Sequence, residues 1–317
     1  MAETGGPDVL ALREVPDPEP GPGDLVVEVE AAGVNFADIY QRTGLYSREL
    51  PFVVGAEGAG TVVGVGANVD EFGLGDVVAW ADGGSSCAEL AGVRADRAVP
   101  VPPGVPTDVA AAVLLQGLTA HYLVHDTYRL SAGSRCLVHA AAGGVGLLAV
   151  QMAKKLGAEV FATCGSDEKS EIARAAGADH VVNYRTQDFA AAIAAVAGAH
   201  TLDVVYDGVG KATFDRGLDL LRPRGTMVTF GNASGPVDPV PPLTLMAKGS
   251  LYLTRPTLKD YVATRDELRT RAADVFGWVA DGTLDVRIGG RFPLADAAAA
   301  HRQLESRTTT GKLLLIP

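Results

Sequence analysis

The chain is poor in cysteine, in basic residues and in unbroken apolar runs, and each shortage removes a class of protein. Its three cysteines, Cys87, Cys136 and Cys164, are odd in number, far apart and without a CxxC pair. They supply neither a disulfide framework nor a structural zinc site. Lys and Arg total 27 against 38 Asp and Glu, a net charge of −11. Nucleic acid is therefore an unlikely partner in electrostatic terms. No apolar run approaches the roughly 20 residues that cross a bilayer, and the opening MAETGGPDVL lacks the charged-then-apolar pattern of a secretory signal. A soluble, cytoplasmic protein is expected. At 317 residues the chain exceeds an average domain, which predicts two domains.

The hydrophobic period changes along the chain. Residues 25 to 113 read as short strands separated by glycine turns, with LVVEVEAAG alternating apolar and acidic and GTVVGVG and DVVAWADGG following at similar spacing. This predicts a small, mostly β domain. LTAHYLVHDTY is helical in period, and residues 134 to about 255 alternate apolar strands with helices. The strands are CLVHAA, EVFAT, HVVNY, LDVVYDG and TMVTFGN. The helices are VGLLAVQMAKKLG, stopped by Gly157, then EKSEIARAAG, QDFAAAIAAVAG and KATFDRGLDLL. Repeated βα units force parallel strands with right-handed crossovers, which is the doubly wound α/β architecture. Thr264 and Glu267 form a capping box for DELRTRAADVFGWVADG, a second helix follows Pro293, and the chain closes on the strand KLLLIP. The predicted boundaries are 1–117, 118–255 and 256–317, the last segment having no core of its own.

HAAAGGVG, residues 139 to 146, lies between a strand and a helix like a dinucleotide-binding turn. In the full fingerprint the first glycine makes the tight turn, the second admits the pyrophosphate and the third allows close helix packing. Here Ala141 stands first, followed by Gly143 and Gly146. The helix N-terminus beyond offers free N–H groups and a positive dipole end to an anion. At the end of the next strand an NAD enzyme places an acid on the ribose. This chain has Cys164, Gly165 and Ser166 there, with Lys169 three residues later, which favours NADP. Asp167 reads either as that acid displaced by one residue or, better, as a helix cap. From position alone Lys169 is as well explained by a solvated helix face.

GVNFADIYQRTGLY, LLQGLTAHYL, HAAAGGVG, VVNYR, FGNASG and GSLYLTRPTL together resemble the zinc-free quinone oxidoreductases, the zeta-crystallin-like branch of the medium-chain dehydrogenase/reductase superfamily. The likeness runs nearly end to end. It implies a GroES-like mostly β domain, a Rossmann doubly wound parallel sheet, and a C-terminal segment returning to the first domain. It also implies NADPH as cofactor, with a 2′-phosphate clamp at Lys169, Tyr184 and Arg307, or Lys312 in place of Arg307. By the same likeness Gly143, Gly144 and Val145 fall on the pyrophosphate, Gly165 and Ser166 on the second strand end, and Phe230, Gly231 and Asn232 beside the nicotinamide. Phe230 reads equally well as a core aromatic. The family usually opens with a short strand that here has only Met1 and Ala2 before ETGGP, so a shortened edge is expected.

The related zinc alcohol dehydrogenases hold their catalytic metal with cysteine, histidine and cysteine where this chain has Asn35, Ala56 and Gln116. These do not make a zinc site. A simple alcohol or ketone needs a Lewis acid for its charge, whereas a quinone or a conjugated alkene spreads that charge through its own π system. The resemblance sets GVNFADIYQRTGLY between the domains. Asn35, Tyr46 and, less strongly, Tyr40 are the candidate donors to the acceptor's oxygen, Asn35 being also a candidate cofactor contact, with Asp38 beside them as a donor-site neighbour or a helix cap. His121, His125, His180, His200 and His301 lack ligand spacing, and His139 suits a structural hydrogen bond. The expected activity is NADPH:quinone oxidoreduction, by hydride or single electrons. The alternatives are reduction of conjugated enals, enones or enoyl thioesters, and a non-enzymatic RNA-binding or structural role. A homodimer is expected from the resemblance, with PVPPLTLMAKGSLYL as its surface or else as a buried strand.

Overall fold

The structure, a computed structural model, describes residues 1–81 and 83–317. The chain forms two compact units, one of residues 1–118 with 262–317 and the other of residues 119–261. The first unit begins with a 3-10 turn at Pro7–Val9 and then strand β1 (Asp24–Val34). Along β1 Glu28 and Glu30 face water while Val27 and Val29 are buried, the alternation of a half-covered strand. In place of an opening strand, Met1 exchanges two hydrogen bonds with Phe52, at 2.7 and 3.1 Å. Helix α1 (Phe36–Thr43) ends at Gly44, whose φ of 82° is the left-handed stop that glycine adopts without strain.

Strands β2 (Glu57–Val65), β3 (Val77–Ala81), β4 (Leu90–Arg94) and β5 (Ala98–Pro100) follow, and β1 pairs antiparallel with both β2 and β4. Trp80 is fully buried at the centre of this β core. A Cβ on Gly58 would come within 2.5 Å of its ring, so only glycine fits opposite it. Burying an apolar side chain of leucine size contributes about 1.5–3 kcal/mol, and Leu25, Val27, Val78, Leu313 and Leu315 all join this cluster.

Helix α2 (Thr107–Tyr122) starts earlier than the sequence suggests, and residues 107 to 113 are helical rather than part of the strand-rich region. Its residues are apolar on every side, so no periodic stripe marks its beginning. It runs into one π-helical turn at Leu123–Thr127. Together Thr107–Thr127 make 21 residues with a mean hydropathy of 1.2, long and apolar enough to cross a bilayer, contrary to the reading that no such run exists. However, 72% of that window is buried inside the protein, as in a core helix.

The second unit alternates β6 (Arg135–Val138), α3 (Gly144–Lys155), β7 (Glu159–Cys164), α4 (Asp167–Ala175), β8 (His180–Asn183), α5 (Phe189–Ala197), β9 (Leu202–Asp207), α6 (Phe214–Leu218) and β10 (Leu221–Thr229). It continues through α7 (Pro242–Ala247), β11 (Tyr252–Thr254) and α8 (Leu258–Tyr261). All six strands are parallel in the order β11-β10-β9-β6-β7-β8, so the expected doubly wound Rossmann sheet is present. Cys136, Leu137 and Val138 are all fully buried, as a strand covered on both faces requires. Gly157 closes α3 at a φ of 80°. Helix α6 is much shorter than KATFDRGLDLL suggests, because Leu221 is already paired with Leu202 in the sheet.

The chain then returns to the first unit with α9 (Arg265–Ala280), β12 (Ile288–Pro293), α10 (Ala297–Glu305) and β13 (Lys312–Ile316). Thr264 Oγ1 accepts from the Glu267 amide at 3.2 Å and Glu267 answers on the Thr264 amide at 2.9 Å, so the capping box is present. Strand β13 lies between β12 and β1, in a sheet ordered β12-β13-β1-β2-β3-β5 with β4 also on β1.

Arg42 of α1 is wholly buried and ion-paired with Glu305 of α10, and His301 of α10 is 1% exposed. Burial first, then the Arg42 charge, hold the His301 imidazole down to about 4 against an ordinary 6.5. A histidine held neutral in the fold contributes stability above pH 6.5 that is lost as pH falls toward 4, because the unfolded chain takes up the proton first. His301→Gln is expected to flatten the pH dependence of the guanidinium unfolding midpoint across that window. An unchanged slope would show that His301 does not set it.

Candidate active site

The doubly wound order reverses between β6 and β9, and at such a switch point the carboxyl ends of the strands leave a crevice. The HAAAGGVG turn occupies the end of β6. His139 N donates to Tyr206 O at 3.1 Å and Ala141 N to Thr163 O at 3.1 Å, which ties the turn to both neighbouring strands. The left-handed residue is Ala140, with a φ of 52°, and Ala141 packs its methyl in the core at 0% exposure. A glycine at 141 is therefore not needed for the turn. Gly143 caps α3 in extended conformation, and the amides of Gly144 and Val145 begin the helix. A Cβ on Gly146 would fall 2.4 Å from Ala140 O, so the helix can approach the strand this closely only with glycine there. These are the steric and electrostatic requirements of a pyrophosphate cradle.

At the ends of β7 and β8, Gly165, Ser166, Lys169 and Tyr184 come together. Ser166 Oγ accepts from the Lys169 amide at 3.2 Å and is the true cap of α4. Asp167, expected as that cap, is instead the first helical residue and accepts from Asn183 Nδ2 at 2.8 Å. A short polar Ser one position earlier reaches the third amide and displaces it from the role. A Cβ on Gly165 would lie 2.5 Å from the Tyr184 hydroxyl, so the ring, 39% exposed, rests directly over the glycine.

At the ends of β9 and β10 two loops run almost in contact. Phe230 N donates to Asp207 O at 2.8 Å, and a Cβ on Gly231 would strike Gly208 O at 2.3 Å. Phe230 is half-buried against Gly208. Asn232 satisfies both its neighbours when its Nδ2 donates to Gly231 O at 3.0 Å and its Oδ1 accepts from Arg255 Nη2 at 3.2 Å. Arg255 also donates to Thr229 O at 2.9 Å, a tether not foreseen from the sequence. His139 makes the expected structural bond, Nδ1 to Thr163 Oγ1 at 2.8 Å, and burial lowers its pKa. His121 and His125, read as lacking ligand spacing, stack at 4.4 Å between ring centroids. Among the described residues no third His, Cys, Asp or Glu joins them in a metal-holding group.

In the first unit GVNFADIYQRTGLY forms the end of β1, α1 and the loop beyond. Asn35 is 5% exposed and both its amide hydrogens are engaged, toward Gly33 O at 3.0 Å and Glu57 Oε2 at 3.1 Å. Its Oδ1 accepts from Lys312 Nζ at 2.7 Å. The expectation that Asn35 donates to a substrate oxygen is thus corrected, since no amide hydrogen is left for one. Asp38 accepts from the Asn35 amide at 2.8 Å as the third residue of α1, and burial pushes its carboxyl up to about 6. Tyr40 is buried and Tyr46 is 40% exposed, with their rings edge to face at 5.1 Å.

Lys312 is 1% exposed and ion-paired with the fully buried Glu57, which removes it as a phosphate ligand. Arg307 is exposed at a φ of 56°. Glu57 was not singled out by sequence reasoning, although an acid inside the glycine-rich GAEGAG, in a strand otherwise apolar, is a charge that must find a partner. Ala56 flanks it, and Gln116 follows Leu115, whose amide donates to Glu57 Oε1 at 2.6 Å. Of the three positions that correspond to zinc ligands in the alcohol dehydrogenases, Asn35 bonds directly to this carboxylate, and Ala56 and Gln116 are chain neighbours of Glu57 and of its partner Leu115.

Residues 21–135 match the alcohol dehydrogenase GroES-like domain, and residues 144–271 match the zinc-binding dehydrogenase family. A quinone oxidoreductase of Pseudomonas aeruginosa is 45% identical over 100% of this chain and 98% of its own length. The crystal structure of Escherichia coli quinone oxidoreductase complexed with NADPH superposes with a TM-score of 0.97 at 42% identity, covering 100% of this chain and 98% of that one. A 2-haloacrylate reductase of Burkholderia sp is 39% identical over 99% of this chain and 96% of its own length.

Two helical glycines separate a packed position from an open one. Gly146→Ala is expected to lower the melting temperature, because the obstructing atom is backbone. Gly277→Ala in α9, with nothing within 4 Å, is expected to raise stability by up to about 1 kcal/mol through helix propensity. Parallel thermal melts of the two variants check both signs.

Proposed function

We propose that this chain, which belongs to the zinc-free quinone oxidoreductase family of the medium-chain dehydrogenase/reductase superfamily, is an NADPH-dependent reductase of small quinones. The observation that carries this reading is the donor set at the ancestral metal positions. Asn35, Ala56 and Gln116 cannot supply a tetrahedral zinc site, and the Lys312 ammonium beside Asn35 and Glu57 repels a second cation. An acceptor that delocalises its own charge is the substrate this arrangement can serve.

NADPH, when bound, supplies the hydride. The chain's part is to hold and orient. The α3 amides and dipole receive the pyrophosphate at Gly143, Gly144 and Val145. Lys169 and Tyr184, with Arg307, take the 2′-phosphate. This is supported by the meeting of Lys169, Tyr184, Gly165 and Ser166 at one sheet edge and by the engagement of Asp167 Oδ1 with Asn183 Nδ2. Phe230, Gly231 and Asn232 line the nicotinamide. Tyr46, supported by Tyr40, donates to the acceptor's oxygen, and the final proton comes from water.

Reduction of a conjugated carbon–carbon double bond is the second reading, favoured by the likeness to the 2-haloacrylate reductase. The enzyme works as a homodimer in the cytoplasm. In support, β11 is an edge strand with Tyr252 62% exposed, beside Leu243 at 69% and Met246 at 63% on α7. Three free cysteines suit a reducing compartment.

NADPH and NADH consumption measured against a panel of quinones and enones tests the reading. Lys169→Ala is expected to weaken NADPH binding by about tenfold or more, the worth of a charge-assisted hydrogen bond, and to leave NADH unchanged. Unchanged NADPH affinity would remove Lys169 from the clamp. Tyr46→Phe is expected to lower turnover with every active quinone, and full turnover would exclude its donor role.

A further inference from the structure

We infer that Lys312 is a positioning residue of the reaction, fixing from the last strand the helix start on which Tyr40 and Tyr46 are mounted; this rests on the reading that those tyrosines meet the acceptor. The backbone brings it there. Strand β13 pairs with β1 through Ala32 with Leu315, Gly33 with Leu314 and Val34 with Leu313. One step further along this register sets Asn35 opposite Lys312. Nζ then donates to Asn35 Oδ1 at 2.7 Å and pairs with Glu57. Glu57 binds the amide of Leu115 in α2 and Asn35 Nδ2 as well, so one carboxylate joins β2, β13, α2 and the start of α1.

The position before this junction is emptied to admit it. A Cβ on Gly33 would fall 2.5 Å from Glu57 Oε2 and 2.6 Å from Lys312 Cε. Buried ion pairs add little net stability over well-packed apolar residues, because desolvating both charges offsets their attraction. What such a pair does supply is direction. Here it sets the rotamer of Asn35 and the first turn of α1, with Asp38 accepting from the Asn35 amide at 2.8 Å. Tyr40 follows within that helix, and Tyr46 N donates to Tyr40 O at 2.9 Å. The tyrosine pair therefore takes its orientation from a cation on the last strand of the first unit.

Lys312→Met alone leaves Glu57 buried without its counter-charge and is expected to reduce folded yield. The informative variants are Lys312→Met with Glu57→Gln, which removes both charges at similar volume, and Asn35→Ser, which keeps the ion pair and cuts its link to α1. Each is compared in the full-length enzyme with Tyr46→Phe and with the corresponding combined variant. Readouts are melting temperature, NADPH dissociation constant, and kcat and KM for a quinone. Folded variants are expected to bind NADPH within about twofold of wild type and to lose kcat at least tenfold, without adding to the loss caused by Tyr46→Phe. Wild-type kcat, with or without a changed melting temperature, would overturn the inference, as would a loss that adds fully to that of Tyr46→Phe. If Tyr46→Phe itself keeps full turnover, the tyrosine reading fails instead.

Discussion

Glu57 has no contact with solvent, and a carboxylate in that situation must be satisfied entirely by the protein around it. Its partners come from Asn35, Leu115 and Lys312, on segments that no local signal connects. The first unit's sheet is arranged so that these segments meet. β1 and β2 align Gly33 with Glu57, and β13 runs along β1 to bring Lys312 to the same point. Here a lysine plays the cation, and the chemistry open to the enzyme narrows to acceptors that need no Lewis acid.

The second unit follows a different rule. Its sheet is apolar on both faces, so polar groups are confined to the strand ends. The turns after β6, β7, β8, β9 and β10 therefore carry most of the candidate cofactor contacts, and glycines at 143, 146, 165 and 231 let backbone and ring approach where a side chain would collide. Cross-strand bonds such as Ala141 N to Thr163 O tie that edge together.

Much of this was legible in the chain. The βα repeat, the Gly157 stop and the Thr264–Glu267 box are local signals, and each is present. The start of α2 was not legible because a helix buried on every side has no stripe. Ser166 rather than Asp167 caps α4 because adjacent cap-competent residues differ only in which reaches the amide. The Lys312–Glu57 pair spans 255 residues, and no spacing rule reaches that far. Asn35 was read as a donor to the acceptor, and its side chain is instead engaged with Gly33, Glu57 and Lys312, partners that its own segment does not reveal.

The position of β13 between β12 and β1 also governs the order in which the two units become complete. Residues 119–261 are continuous, and all six strands of their sheet are synthesised before α9 begins. The first unit is discontinuous, and Glu57 waits more than two hundred and fifty residues of translation for its counter-charge. Until then the first unit carries a half-built sheet and an unpaired acid, whereas the second unit is a continuous segment that needs nothing from β13 for its own sheet. The buried charge pair of the first unit is thus completed last, when β13 joins the sheet.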